Sequence, residues 1–447
     1  MAISFVFHVI CTAKSSPLFT MRHAIFTVIT KSYIGLAKAL GNSIRKHNSN
    51  IDFYIFIADE PDANLPEFPT DENIYINSRQ SLDIDDDLWL QMAFKYNLVE
   101  FCTCIKPACF KYLFKKELYE KVIFFDPDIF VYRSLDSIFH SLDEYQVVLT
   151  PHVLSMQEKS TSDNPLYTFL KYGIYNLGFL ALRKSAKTEL FLTWWHERLK
   201  DECFFDDKFG LLTDQKWIIF LPGFLSASEL LISRDRGLNL APWNFFERKV
   251  EQSDGVFYVV DRLGVEQTKT PLVFVHFSSF SYRDVANGTA SLPGYLDLGA
   301  LFEPYGHGLK QADIEKYIQL KYTYKVFDND IIISDLNRRI YRAYLEQGKN
   351  FIREKNPFVT SENSLYKRFE AKKLLTMEKA GNSGNSSGHP HRNRQEVTGS
   401  SKQLKAMNLL SRTLLRFLGP QKYATVITNL GKYFTYEKQL HLLGEEE

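Results

Sequence analysis

Two carboxylates, Asp126 and Asp128, stand two residues apart in the stretch VIFFDPDIFVYRSLD (122–136), directly behind four apolar residues. On a strand, side chains at that spacing leave the same face, so the two charges repel and are costly to desolvate together. A cation between or beside them offsets that cost. Hard divalent ions take oxygen ligands, and Mg²⁺ or Mn²⁺ commonly joins one or two carboxylates to phosphates. The chemistry implied is a metal–diphosphate site, and an ordinary Asp-Pro-Asp turn is the competing reading. If repulsion dominates, removing Asp128 leaves the metal-free stability unchanged or raised. Cysteine offers no second metal site. Cys102, Cys104 and Cys109 crowd into FCTCIKPAC without a paired-knuckle spacing, and read as reduced thiols.

Elements able to position the pair are visible on both sides of it. AIFTVIT (24–30) reads as a strand, and the next segment has helical spacing at Ile34, Ala37, Leu40 and Ile44. IDFYIFIAD (51–59) is a second strand, and the βαβ order predicts a mostly parallel α/β sheet with helices on its faces. DLWLQMAFKYNLVEF and PACFKYLFKKELYE read as helices, with Pro107 suited to a first turn. KVIFF, YQVVLTPH, YNLGFLALR and PLVFVHFS read as strands, and TELFLTWWHERLKD as a helix. In open α/β sheets ligands bind beyond the carboxyl ends of strands, where the Asp pair falls.

The chain divides by pattern into an extension at 1–21, an α/β domain at 22–285, a helical extension at 286–378, a Gly/Ser/Asn-rich linker at 379–403 and a helical tail at 404–447. Its 54 basic and 53 acidic residues nearly cancel, which argues against a nucleic-acid partner. No apolar run reaches 18 residues, and the first 20 residues lack the basic start of a signal peptide. The expectation is a cytoplasmic protein in which residues 1–20 are dispensable and Met21 is a second candidate start. In the tail, Leu404, Met407, Leu414, Leu415 and Leu418 fall on one side of a helix, and Lys402, Lys405, Arg412 and Arg416 on the other, with Leu409 misplaced. That pattern suits peripheral contact of 404–440 with the inner face of an anionic membrane, or a helix docked on its own domain.

KVIFFDPDIFVYRSLDSIF, YNLGFLALR, TDQKW and PLVFVHFSSF occur in the order found in glycosyltransferases of the GT-A fold. Over roughly residues 22–285 the chain most resembles bacterial sugar transferases related to the glycogenin and lipopolysaccharide-galactosyltransferase group. The resemblance implies a Rossmann-like central sheet, a nucleotide-sugar donor, Mn²⁺ or Mg²⁺, and transfer to a hydroxyl of a glycan or lipid-linked acceptor. It favours retention of anomeric configuration, in surface polysaccharide or glycolipid assembly. It makes Asp128 a metal ligand, Asp126 a ligand of metal or ribose, and His276 the late metal-binding histidine. The family's glycine after that histidine is replaced by Ser278–Ser279, and its Lys-Pro-Trp is absent. It places Thr30, Ser32 and Tyr33 against the nucleotide, Asp59 at the base or ribose, and Lys106 at the donor phosphate. Asn176 and Gly178 fall against the donor sugar, Asp214 and Gln215 beside the reacting sugar, and Trp243 and Asn244 in a sugar platform. Each has a plainer reading: a core histidine at His276, a packing glycine at Gly178, a helix cap at Asp214, a buried Trp243. With retention the departing phosphate can take the proton; inversion would need a carboxylate such as Asp214.

Two rivals remain. Four apolar residues before D-x-D also open haloacid-dehalogenase-type phosphatases, and Asp206 and Asp207 supply a later acidic pair. Phe130 stands where that family wants Thr or Val. The other rival is a non-catalytic sugar-binding protein on the same fold. No G-x-x-x-x-G-K-[ST] loop is present, which disfavours a P-loop ATPase.

Overall fold

The structure, a computed structural model, describes residues 22–116, 119–156, 167–206, 209–265, 269–349, 352–375, 402–433 and 441–443. The expected extension at 1–20, and the linker up to residue 401, lie outside the described residues.

In chain order the strands are β1 (Arg22–Ile29), β2 (Ile51–Ile57), β3 (Ile74–Asn77), β4 (Tyr119–Phe125), β5 (Ile129–Val131), β6 (Val147–Leu149) and β7 (Phe179–Arg183). They continue with β8 (Phe205–Asp206), β9 (Leu211–Leu212), β10 (Leu230–Ile232), β11 (Arg248–Ser253), β12 (Val256–Asp261), β13 (Lys269–Pro271) and β14 (Phe274–His276). The main sheet has the order β10-β6-β7-β4-β1-β2-β3. β7 runs antiparallel to β4 and β6, and the other neighbours pair in parallel. This is the expected mostly parallel α/β sheet with flanking helices.

Period-2 alternation sorts the strand residues between two cores. Ala24, Phe26 and Val28 of β1, with Val122 and Phe124 of β4, pack under the helices at 86–115 and 186–202. Ile25, Ile29, Ile123 and Phe125 face the helices Ile34–His47 and Asp136–Glu144. Strands buried on both faces read as continuous apolar runs, which is why they were visible in the sequence. Ile34, Ala37, Leu40 and Ile44 are the buried stripe of their helix, as their spacing predicts.

The helical extension shares these cores. Tyr282 and Val285 pack in one cluster with Leu298, Leu301 and Tyr305. From the helix Asp335–Glu346, the Arg338 guanidinium donates to the carbonyls of Ala93, Phe94, Tyr96 and Tyr324. Arg339 donates to Glu100 Oε1 at 2.6 Å in a buried ion pair. The C-terminal helix Lys402–Tyr433 breaks at Gly419 (φ 72°) and exposes Leu409, Leu410, Leu415 and Phe417. No helix among the described residues is long and apolar enough to cross a membrane.

Candidate active site

β4 ends at Phe125, and the Asp126 N–H donates to Gly178 O at 2.8 Å, continuing the ladder toward β7. Ile129 N–H then donates to Asp126 O at 3.1 Å, closing a turn over Pro127. β5 leaves that turn antiparallel to β14, with Ile129 opposite His276, and Phe277 N–H donates to Asp128 O at 2.9 Å. This register delivers His276 to the carboxylates. His276 Nε2 lies 3.0 Å from Asp128 Oδ1 and 3.8 Å from Asp126 Oδ2. One ligand atom from each of the three residues falls within 4.8 Å of the others, a spacing and donor set that fit a divalent cation. Burial alone would lower the His276 pKa, but Asp128 and Asp126 together outweigh it and hold the ring above its usual value. Burial pushes Asp126 upward, and Lys106 and His276 oppose that shift.

Gly178 is where the ring meets backbone. A Cβ there would overlap His276 Cε1 and Nδ1, so glycine is required for the approach, whatever else the position does. Behind the ring, Trp243 packs edge-on at 5.2 Å, with His152 on its other side. Trp243 thus braces His276. Asn244 is fully buried, donating to His152 O and Asn239 O and accepting from Ala241 N–H. Neither residue lines the cleft, which corrects the sugar-platform expectation: the Trp243 ring packs on His276 and His152, and the Asn244 carboxamide is taken up by backbone partners.

Lys106 opens the helix Lys106–Lys115 and is buried over the Phe124 ring. Its Nζ lies 2.8 Å from Asp214 Oδ2, 3.7 Å from Asp126 Oδ1 and 3.2 Å from Leu177 O. Burial lowers the Lys106 pKa, but Asp214 and Asp126 together more than reverse this, so the ammonium persists. Asp214 precedes the short helix Gln215–Phe220 without capping it by side chain. Its carboxylate instead takes Lys106 and the Thr213 hydroxyl, at 3.1 Å. Thr213 has φ 44°, a strained conformation for a β-branched residue. Gln215 is clamped at both ends: Oε1 accepts from Leu177 N–H at 3.0 Å and Nε2 donates to Tyr172 O at 2.9 Å.

One cleft collects Thr30, Tyr33, Lys106, Asp126, Asp128, Asn176, Gly178, Asp214, Gln215 and His276. Ser32 sits beside it, 2.9 Å from the Thr30 hydroxyl, and the Tyr33 ring meets Tyr282 edge-on. Asp59 is not in its lining. Asp59 Oδ1 accepts from Thr323 N–H at 3.1 Å and lies 3.5 Å from the buried Lys31 ammonium, so the helical extension occupies it. Sequence reasoning missed Tyr282, Ser278, Thr213 and Cys102 in the lining. Cys102 and Thr103 stand one turn before Lys106 and were placeable with it; Tyr282 carried no signal. The described cysteines are free, and burial raises the thiol pKa of Cys102, Cys104 and Cys109.

The family described as Glycosyl transferase family 8 matches residues 24–192. Uncharacterized protein YfnF of Bacillus subtilis (strain 168) is 25% identical over 265 residues, covering 58% of this chain and 82% of that protein. Uncharacterized protein YfnD of the same organism is 23% identical over 258 residues, covering 57% and 77%. A solved galactosyltransferase, LgtC, in complex with donor and acceptor sugar analogs, is 14% identical, covers 64% of this chain and 95% of its own, and has a TM-score of 0.37. At that score the structural likeness adds no argument. The family match runs from β1 past β7, across Asp126, Asp128, Asn176 and Gly178. With its mostly parallel sheet and the site built at the sheet's carboxyl edge, this chain is a glycosyltransferase whose residues 24–192 match family 8.

Proposed function

We propose that the protein is a divalent-metal-dependent transferase moving a sugar from a nucleotide-diphosphate donor to an acceptor hydroxyl, with retention of configuration. The observation that carries this reading is the grouping of Asp126, Asp128 and His276 within 4.8 Å, with the Lys106 ammonium 3.7 Å from Asp126. Asp126, Asp128 and His276 would hold Mn²⁺ or Mg²⁺, which when bound would supply Lewis-acid stabilisation of a departing diphosphate. Lys106 adds a fixed positive charge beside Asp126, pre-oriented by Asp214 and so requiring little reorganisation. Thr30 and Tyr33 border the nucleotide end of the cleft, and Asn176, Gly178 and Gln215 border the sugar end.

Retention is favoured because Asp214 is already committed. Its two oxygens already take the Lys106 ammonium at 2.8 Å and the Thr213 hydroxyl at 3.1 Å, and inversion would need a carboxylate turned to the acceptor hydroxyl there. Gln215, held by Leu177 and Tyr172, is a fixed carboxamide beside the same space. The phosphatase alternative gains no support from Asp206, which pairs with Arg342 at 3.5 Å; Asp207 lies outside the described residues. Turnover of nucleotide-sugars with Mn²⁺, with the product anomer read by NMR, tests this assignment. A product of inverted configuration would remove retention, and no turnover of any donor would favour a non-catalytic sugar-binding protein.

The reading extends to a cytoplasmic enzyme of surface polysaccharide or glycolipid assembly, touching the membrane through 404–440. Exposed Leu415 on the predicted apolar side, with exposed Arg412 and Arg416 on the basic side, supports an interfacial helix on anionic lipid. Co-sedimentation should then require anionic vesicles and weaken with salt. Equal, negligible binding to anionic and neutral vesicles would contradict it.

A further inference from the structure

Behind His276 lies a relay of side chains, Asn176, Asn239 and Thr150, the last two of which have been given no role. Gly178 N–H meets the Asn176 side chain from 3.2 Å. A backbone N–H only donates, so the atom it meets is the carbonyl oxygen, Oδ1. The same oxygen accepts from Asn239 Nδ2 at 3.0 Å, and Asn239 Nδ2 also donates to Thr150 Oγ1 at 2.8 Å. His276 Nδ1 lies 3.2 Å from that oxygen. An amide oxygen has no proton to give, so a hydrogen bond at this position requires a proton on Nδ1. The Asp128 carboxylate facing Nε2 at 3.0 Å has none to give either, so without metal both ring nitrogens carry protons. A metal taking Nε2 displaces its proton to solvent and leaves the Nδ1 proton hydrogen-bonded to Asn176.

Asn239 bears the marks of a residue kept for this orientation. It is fully buried and has φ 56°, a left-handed conformation that asparagine tolerates better than most residues. Its own Oδ1 is buried without a protein partner, an unfavourable arrangement that turning the amide over would not repair. Turned over, that oxygen would face Asn176 Oδ1 and lose the donor between them.

We propose that Asn239 is a positioning residue: acting through Asn176, it holds His276 with the proton on Nδ1 and presents the Nε2 lone pair to the metal. This rests on the metal-dependent reading above. Partners of a metal-bound imidazole's second nitrogen commonly govern metal affinity about 10–100-fold.

The test compares wild type with Asn239→Gly, which keeps the left-handed backbone and removes the carboxamide, and with Asn239→Asp, which keeps its size and removes the donor. Nitrogen-15 NMR of the metal-free protein reads whether the His276 Nδ1 proton is held in a hydrogen bond, as its slow exchange with water; calorimetry reads Mn²⁺ affinity. The expected result is a slowly exchanging Nδ1–H in wild type, fast exchange in both variants, and Mn²⁺ affinity about 10-fold or more weaker. A wild-type Nδ1 that carries no proton, or one that exchanges freely, overturns the proposal without any variant having to fold. Equal Mn²⁺ affinity in wild type and a folded variant overturns the role of Asn239 alone. A wild type that holds Nδ1–H but binds no Mn²⁺ overturns the metal reading, and with it that role.

Discussion

At Asp128 one carboxylate has two tasks. It completes the metal grouping, and it lies 3.0 Å from His276 Nε2, itself buried. Viewed as half of a like-charged pair, its removal should relieve repulsion and leave the metal-free protein as stable or more so. The structure reverses that expectation, because the histidine between the carboxylates already offsets their repulsion. Asp128→Ala should abolish Mn²⁺-dependent donor binding and also lower the stability of the EDTA-treated protein, by about 1–3 kcal/mol for the partner left unpaired. Urea unfolding in EDTA measures this, and an unchanged or raised stability would restore the repulsion argument.

Among the elements, the pairing of β5 with β14 makes the site, and it was the least legible part. A strand of three residues meets another about 145 positions later, and only their register puts His276 beside Asp128. The strands of the parallel sheet were legible because burial on both faces leaves apolar runs, and Asp126 and Asp128 because they interrupt one. Asp59 was legible as a strand-end acid, but its use was not: Thr323 claims it from 264 residues away. Asn239, a lone asparagine, carried no signal at all. Departures from the family pattern after His276 acquire a physical meaning here. Ser279 has φ 69°, so a serine holds the left-handed conformation that favours glycine, at a cost. Ser279→Gly should stabilise the protein by about 0.5–1 kcal/mol, the relieved strain exceeding the added freedom of the unfolded chain. A loss of stability on urea unfolding would mean that the serine side chain contributes more than its backbone costs.

For the whole molecule, the helical extension and the sheet domain share their cores, locked by Arg338 and the Arg339–Glu100 pair, so unfolding experiments report on both. One buried group should mark the acid limb of that stability. His152, stacked on Phe169 and edge-on to Trp243, has its pKa lowered by burial to about 4. An unfolded imidazole titrates near 6.5, so between those values the unfolded chain holds the extra proton. Its contribution is therefore complete above about pH 6.5 and is lost as pH falls toward 4, by up to about 3 kcal/mol. Parallel pH–stability curves for wild type and His152→Gln over that window would refute this; the variant should be the flatter of the two. The central claim is that Asp126, Asp128 and His276 bind a divalent ion that this glycosyltransferase needs in order to cleave a nucleotide-sugar. Donor hydrolysis by wild type in Mn²⁺, in EDTA, and in EDTA followed by excess Mn²⁺, tests it most directly. The account predicts activity that is lost in EDTA, restored by Mn²⁺, and absent throughout from Asp128→Ala; full activity in EDTA would contradict it.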